Sequence, residues 1–208
     1  MKSMEEKRMI GDYTVLNSIQ IGHKEVILGE NTKAATGERY LCCYSEQALV
    51  FEKLMDGLVS DGYAEIMKVF AERVAEAAGE MVEEIDREEK EVGTNAEILK
   101  DVCEPFTYED NLTNKVVVVR GIVLRPEFRR ATRQLMLCVG GFGAQPNSRG
   151  RTCYCISLYD QHETSFYRQD ILGTVDSDNL PDWAKDGLGK AIEQNEKNKK
   201  PKERGEAR

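Results

Sequence analysis

Long apolar runs are missing from this sequence, and its first residues, MKSMEEKRM, lack the apolar core of a signal peptide. No run approaches the roughly 18 apolar residues that a membrane-spanning helix needs. These absences argue against an exported or a membrane-spanning protein and predict a cytoplasmic one. The six cysteines are then expected to be thiols, because the cytosol keeps cysteine reduced.

Histidine is scarce, and no CxxC motif occurs. Neither His23 nor His162 has a nucleophile at a recognisable spacing, which leaves a Ser-His-Asp or Cys-His arrangement without support. The cysteine spacing does not fit the common zinc folds, so the thiols are expected to pack in the core. We therefore predict a protein that is not an enzyme, with no catalytic residue, metal or cofactor.

Charge is unevenly distributed along the chain. The net charge of -8 argues against simple coating of DNA, which depends on a basic surface. Residues 71–91 nevertheless hold nine acidic and three basic side chains, whereas residues 120–151 hold seven arginines and one glutamate. Such segregation predicts charged partners, since a field of one sign steers ligands of the other.

The first half of the chain predicts strands followed by a long helix. Residues 13–28 alternate like an antiparallel hairpin with a turn at Gly22, and residues 39–44 suggest a third strand. From residue 47 the apolar spacing changes to three and four, interrupted only at residues 60–62. A helix over residues 63–90 with one apolar stripe is the firmest prediction here, and that stripe could also serve a homodimer.

The second half predicts a β-rich lobe. A short helix at residues 96–102 is expected within a connection over residues 93–114. Strands follow at residues 116–119, 135–139, 152–159 and 165–171, and a helix opens at Pro181. The fold class is α+β, with an N-terminal lobe at residues 10–92, an arginine-rich β lobe at residues 115–193 and a disordered tail at residues 194–208.

The glycine-rich segment GGFGAQPNSRGRTCYC, residues 140–155, raises the question of a phosphate cradle. A nucleotide-binding loop of that kind leads from a strand into a helix, whose N-terminus supplies converging N–H groups. Here the loop leads into an alternating TCYCISLY, and neither GxxxxGK[ST] nor GxGxxG is present. The segment therefore predicts a hairpin whose glycines adopt positive φ or form a bulge.

The arginines around that loop carry the main binding hypothesis. Arginine offers a rigid fork for phosphate and can stack on bases, and no lysine occurs between residues 116 and 184. One alternative is that several pair with carboxylates of the same chain. The candidate basic residues are Arg120, Arg125, Arg129, Arg130, Arg133, Arg149 and Arg151, with Phe128, Phe142, Tyr154 and Tyr167 as candidate stacking planes.

Five glutamates of the long helix, spaced by four, form a second candidate surface. They suggest one acidic ridge that could imitate nucleic acid towards a basic groove. The alternatives are a solvated face, or a ridge that docks onto the protein's own arginines. The ridge consists of Glu72, Glu76, Glu80, Glu84 and Glu88.

The segments DYTVLNSIQIGHKEVILGE, LMLCVGGFGAQPNSRGRTCYC, QDILGT and LPDWAK resemble accessory proteins of plasmids, conjugative elements and prophages of Gram-positive gut bacteria. The resemblance covers about residues 12–190 and carries no binding residue over. It implies an anti-restriction or anti-CRISPR role, with a Cas9-type ribonucleoprotein as one candidate target.

These observations favour a non-enzymatic inhibitor that binds a host nuclease or its nucleic acid. Two alternatives stay open. One is an accessory protein that binds the DNA or RNA of the element itself. The other is a protein interaction module that works through the long helix.

Overall fold

A computed structural model describes residues 8–47 and 52–199 of the chain. Contacts divide the protein into two units, Met1–Arg87 and Glu88–Arg208. The last turn of the long helix and residues 93–114, expected as a connection, thus belong to the second unit. Within the described residues, no helix is long and apolar enough to cross a membrane.

The first unit contains an antiparallel sheet in which each strand pairs with the next along the chain. The hairpin predicted around Gly22 is confirmed, and this glycine has a φ of 55°. The third predicted strand is also present. The strands are β1 (Met9–Ile10), β2 (Tyr13–Ile21), β3 (Lys24–Glu30), β4 (Tyr40–Gln47) and β5 (Glu52–Ser60).

The strand β5 corrects the sequence prediction, because its residues were assigned to the helical pattern that begins at residue 47. It pairs with β4, and the register shifts between Cys42 and Tyr44. Opposite this bulge, Asp56 has a φ of 52°, so the alternation of the strand is broken and Leu54 and Leu58 simulate a helical spacing of four. Residues 48–51 of the same pattern lie outside the described residues.

The long helix α1 (Tyr63–Val92) confirms the firmest prediction. Its apolar stripe packs on β3 and β4, where Ile66, Phe70 and Ala77 meet Val26 and Leu28 in one core. The stripe proposed for a homodimer is therefore covered by the sheet of its own unit. The burial follows from the helical period, which places these three side chains on one face.

The second unit is built on another antiparallel sheet, in which five strands pair in an order that differs from their order along the chain. Its interior strand β6 (Val116–Val119) is buried on both faces, as four consecutive valines predict. The strand expected at residues 165–171 pairs with the preceding strand in a hairpin, as predicted, but it ends at Tyr167, where a 3-10 turn at Arg168–Asp170 begins. The remaining strands are β7 (Leu135–Gly140), β8 (Thr152–Ser157), β9 (Glu163–Tyr167) and β10 (Ile171–Val175).

This sheet must be strongly curled. In hydrogen-bond order β9 and β10 stand at opposite edges, which in a flat sheet would be about 19 Å apart. Only residues 168–170 connect them, and four Cα–Cα links span at most about 15 Å. The N–H of Arg168 donates to Arg151 and the N–H of Arg120 donates to Asp170, so the turn bonds to both sides. The edges therefore approach each other.

Two cores lie on the two faces of the curled sheet. The core on the concave face contains Leu112 and Ala144 from the loops, together with side chains from all five strands. We call it the concave core. The opposite face is covered by α3 (Asp182–Lys199), whose Ala184 and Ala191 are buried against it. A one-turn helix, α2 (Ala131–Gln134), precedes β7.

Two further predictions of this unit need correction. The helix expected at residues 96–102 is only a 3-10 turn at Lys100–Val102. Residues 194–199, expected as disordered tail, continue α3, which begins directly after Pro181 as predicted. Residues 200–208 lie outside the described residues.

Candidate nucleic-acid interface

A cavity of about 600 Å³ lies where the curl of the second sheet closes. Its walls come from residues 105–108, 148–151, 168–169 and 171–172, together with Lys100 and Arg120. Among the residues that the structure describes, five basic side chains line it and no aspartate or glutamate does. We call it the arginine groove; its basic residues are Lys100, Arg120, Arg149, Arg151 and Arg168.

The glycine-rich loop explains why two of these arginines stand at the groove. A Cβ on Gly141 would lie 2.4 Å from the carbonyl oxygen of Thr152, and one on Gly143 would lie 2.2 Å from that of Arg151. Only glycine permits this approach, and Gly141 also has a φ of 98°. The loop connects the antiparallel strands β7 and β8, which confirms the hairpin prediction. It therefore serves as a compact connection over residues 141–151 that carries Arg149 and Arg151.

Arg168 holds together the loops that form the groove. Its guanidinium donates to the carbonyl oxygens of Gly143 at 2.6 Å and of Thr107 and Asp110, both at 2.7 Å. It also lies 5.2 Å from the ring centre of Phe106. One side chain thus ties two loops together. Sequence reasoning missed Arg168, although the long interval without lysine includes it.

The charge of the groove is not neutralised from within. Arg149 and Arg151 are exposed, and within residues 8–47 and 52–199 their side chains make no ion pair or hydrogen bond. The exposed side chain of Lys100 likewise makes no ion pair or hydrogen bond with any residue of those ranges. Arg120 donates through Nε to the carbonyl oxygen of Gln169 at 2.9 Å and makes no ion pair with the described residues. The charge of the groove therefore suits an anion.

Two carboxylates next to the groove are committed to the backbone. Asp110 accepts hydrogen bonds from the N–H and the hydroxyl of Thr107, and these lower the pKa of Asp110. Asp170 accepts from the N–H of Tyr167 at 3.2 Å. Both carboxylates cap loops and do not line the groove.

Arg130 and Arg133 correct the binding hypothesis, because they do not face a partner. Arg130 is 5% exposed and reaches Glu88 at 2.5 Å; Arg133 reaches the same carboxylate at 2.7 Å and Asp160 at 2.5 Å. Both also lie over Phe128, which removes this ring from the candidate stacking planes. The alternative of pairing within the chain is confirmed for these two arginines.

Two other predicted arginines also lie away from the groove lining. Arg129 is half-buried and donates to the carbonyl oxygen of Leu124 at 3.3 Å. Arg125 is exposed and has a partner of its own. Of the seven predicted arginines the groove thus brings together three, Arg120, Arg149 and Arg151.

The predicted acidic ridge is not a continuous open surface. A step of four residues advances about 40° around a helix, so four steps rotate the row by about 160°. Glu72 and Glu88 consequently lie on nearly opposite sides of α1, and Glu88 falls on the buried face, 2% exposed. Glu76 accepts from the hydroxyl of Tyr44 at 2.7 Å.

The remaining members of the row also have partners. Glu80 pairs with Lys24 at 2.6 Å, and Glu72 pairs with Lys68 at 3.6 Å in an exposed i,i+4 contact. Glu84 is half-buried and has a partner as well. The idea that this row as a whole imitates a nucleic-acid strand therefore loses its geometric basis.

Glu88 is the centre of a buried polar network. Burial raises the pKa of this carboxyl, but hydrogen bonds from Arg130 and Thr132 and the charge of Arg133 outweigh it and lower the pKa to about 2. Asn95 donates to Glu88 at 3.3 Å and to the hydroxyl of Thr132 at 3.0 Å. Glu88 therefore stays ionised and holds the start of the second unit together.

Three aromatic side chains remain exposed beside the groove. Phe142 is 78% exposed, Tyr154 56% and Tyr167 54%. No ring stacking or cation–π contact from the described part of the chain occupies them. We call these three residues the aromatic rim. They were candidate stacking planes on sequence grounds, and their exposure is the arrangement that such a role requires.

The concave core contains the thiols of Cys138, Cys153 and Cys155, called the core thiols below. The contact with Cys153 lowers the pKa of Cys138, but the contact with Cys155 and burial outweigh it and raise the pKa to about 12. The contact with Cys138 and burial also raise the pKa of Cys153. Within residues 8–47 and 52–199 no group of three or more His, Cys, Asp or Glu residues is placed to hold a metal.

Comparisons of the chain with protein-family models, curated proteins and solved structures give no match. The assignment of a function therefore depends on the site itself.

Proposed function

We propose that this protein is a non-enzymatic binder of nucleic acid and that the arginine groove of its second unit receives the phosphate backbone. The observation that carries the proposal is a concave site that, within the described part of the chain, is lined by five basic side chains and no carboxylate. Arginine suits this task because its planar fork can donate two hydrogen bonds to one phosphate.

The negative net charge of the whole chain does not oppose this proposal. Attraction between charges fades within about 10 Å at ordinary salt, so a phosphate in the groove responds mainly to nearby cations. The carboxylates of α1 are mostly engaged with basic or hydroxyl side chains, as described above. A basic groove can therefore act on an acidic protein.

The groove predicts a definite salt dependence. Lys100, Arg120, Arg149 and Arg151 could each neutralise one phosphate, and each contact to a single strand contributes about -0.7 to the slope of log affinity against log salt. The expected slope is then about -2 to -3. The double variant Arg149→Ala/Arg151→Ala should weaken binding strongly and lower the magnitude of the slope by about 1.4.

Fluorescence anisotropy with labelled oligonucleotides at several salt concentrations tests this expectation. The matched control is Lys185→Ala/Lys190→Ala, which removes two exposed charges from α3 that do not line the groove. The control should bind like the unmodified protein. Binding that is absent, or that is equally strong in the two double variants, would refute the proposal.

We further propose, on the strength of the resemblance to mobile-element proteins, that the nucleic acid belongs to a host defence nuclease. The groove would then withhold guide or target from a Cas9-type ribonucleoprotein. A cleavage assay tests this step: the unmodified protein should inhibit cleavage, and Arg149→Ala/Arg151→Ala should not. Inhibition that survives this variant would separate the inhibitory role from the groove.

A further inference from the structure

The aromatic rim adjoins residues of the arginine groove, because Phe142 packs on Gly150 and Tyr167 directly precedes Arg168. We propose that together they select single-stranded over double-stranded nucleic acid, with phosphates in the groove and bases stacked on the rim. This inference rests on the proposed function and names its ligand class.

Phe142 is in direct contact with the arginine-bearing loop. A Cβ on Gly150 would lie 2.2 Å from the Cβ of Phe142, so this ring packs over the residue between Arg149 and Arg151. The exposed ring and the two guanidinium groups therefore belong to one small surface. A nucleotide whose phosphate meets either arginine would place its base within reach of Phe142.

The two tyrosines extend this surface along β8 and β9. Thr152 pairs with Tyr167 and Tyr154 pairs with Ser165, so both tyrosines project from the same face of the sheet. Diagonal neighbours of this kind are roughly 7–8 Å apart. Arg151 directly precedes Thr152 and Arg168 directly follows Tyr167, so the backbone of both cations adjoins the strand ends that carry the tyrosines. The rings can therefore receive successive bases of an extended strand.

Stacking requires bases that are not already stacked and paired. In a duplex the flat faces of the bases are covered, and only its backbone and groove edges are open to a protein. A single strand presents both phosphates and open base faces, so it alone engages groove and rim together. Single-stranded DNA and single-stranded RNA share this chemistry. A comparison of the affinities for one sequence, made once as DNA and once as RNA, distinguishes the two ligands.

The test compares four ligands of about 12 nucleotides: single-stranded DNA, the same sequence as RNA, its DNA duplex, and an abasic strand of equal charge. The rim variant is Phe142→Leu/Tyr154→Leu/Tyr167→Leu, which keeps apolar side chains but removes all three stacking planes. Tyr63→Leu, a tyrosine of α1 that is 49% exposed, is the control. Circular dichroism confirms that each variant is folded.

We expect the unmodified protein and the control to bind the single strands at least about 25-fold more tightly than the abasic strand and the duplex, as two stacked bases require. The rim variant should bind all four ligands alike. A duplex bound as tightly as the single strand, or an unchanged preference in the rim variant, would overturn this inference.

The two proposals fail in different ways. If all four ligands bind equally and Arg149→Ala/Arg151→Ala abolishes binding, the groove is a phosphate site and only the single-strand inference is wrong. If none of the four ligands binds, the proposed function is wrong and the inference with it.

Discussion

Removal of the negative charge of Glu88 should destabilise the second unit by about 3 kcal/mol. In the variant Glu88→Gln, the buried Arg130 and the half-buried Arg133 lose the carboxylate that they share. The pKa of Glu88 lies at about 2 instead of 4.5, and each tenfold change in proton affinity is worth about 1.4 kcal/mol. The result agrees with the roughly 3–5 kcal/mol lost when one partner of a buried ion pair is removed.

The same reasoning fixes the pH dependence. The folded-state pKa is lowered, so the stabilisation is fully present above about pH 4.5 and is lost as pH falls towards 2. The difference between the unmodified protein and Glu88→Gln should shrink to roughly half or less at about pH 3. It should disappear near the folded-state pKa.

Urea unfolding measures this difference, and the chain offers a local probe. Its single tryptophan, Trp183, packs in the core beneath α3 and lies 6.1 Å from the ring of Tyr159, so its fluorescence reports on the second unit. Glu89→Gln, an exposed neighbour, is the control and should change the free energy of unfolding by less than about 0.5 kcal/mol. A loss for Glu88→Gln no larger than the control, or one independent of pH, would contradict the reasoning.

Two further predictions concern the same unit. The core thiols should not react with Ellman's reagent in the folded protein up to about pH 10, since all three are buried and the pKa values of Cys138 and Cys153 are raised; rapid labelling without denaturant would contradict this. In α3, Gly187→Ala should cost more than about 2 kcal/mol in urea unfolding, because its Cβ would lie 1.8 Å from the carbonyl oxygen of Leu158. The matched Gly189→Ala meets nothing within 4 Å and should stabilise the helix by up to about 1 kcal/mol. Equal effects of the two glycine variants would show that the packing argument is wrong.

Local patterns in the sequence predicted those elements that local physics determines. The valines of β6, the apolar stripe of α1 and the start of α3 after Pro181 were all confirmed. The strand β5 was missed because Asp56 adopts positive φ at a bulge. A bulge depends on the neighbouring strand, and one strand's sequence does not contain that information.

The candidate site was predicted only in part, because it is assembled from distant segments. Arg149 and Arg151 were found from their density in the sequence, whereas Arg168 and Phe106 join them only through the curl of the sheet. Glu88 was placed on an open ridge because equal spacing was taken for alignment along the helix axis. The slow rotation of an i,i+4 row was the available signal that could have corrected it.

The hydrogen bonds that Arg168 donates to loop carbonyl oxygens have a consequence for the kinetics of the proposed binding. Loops that are already fixed do not lose further freedom when a ligand arrives, so little of the binding energy is consumed in ordering them. A preorganised receptor of this kind should associate rapidly, at a rate set by electrostatic attraction and diffusion. Differences between ligands should then appear mainly in how long each one stays bound.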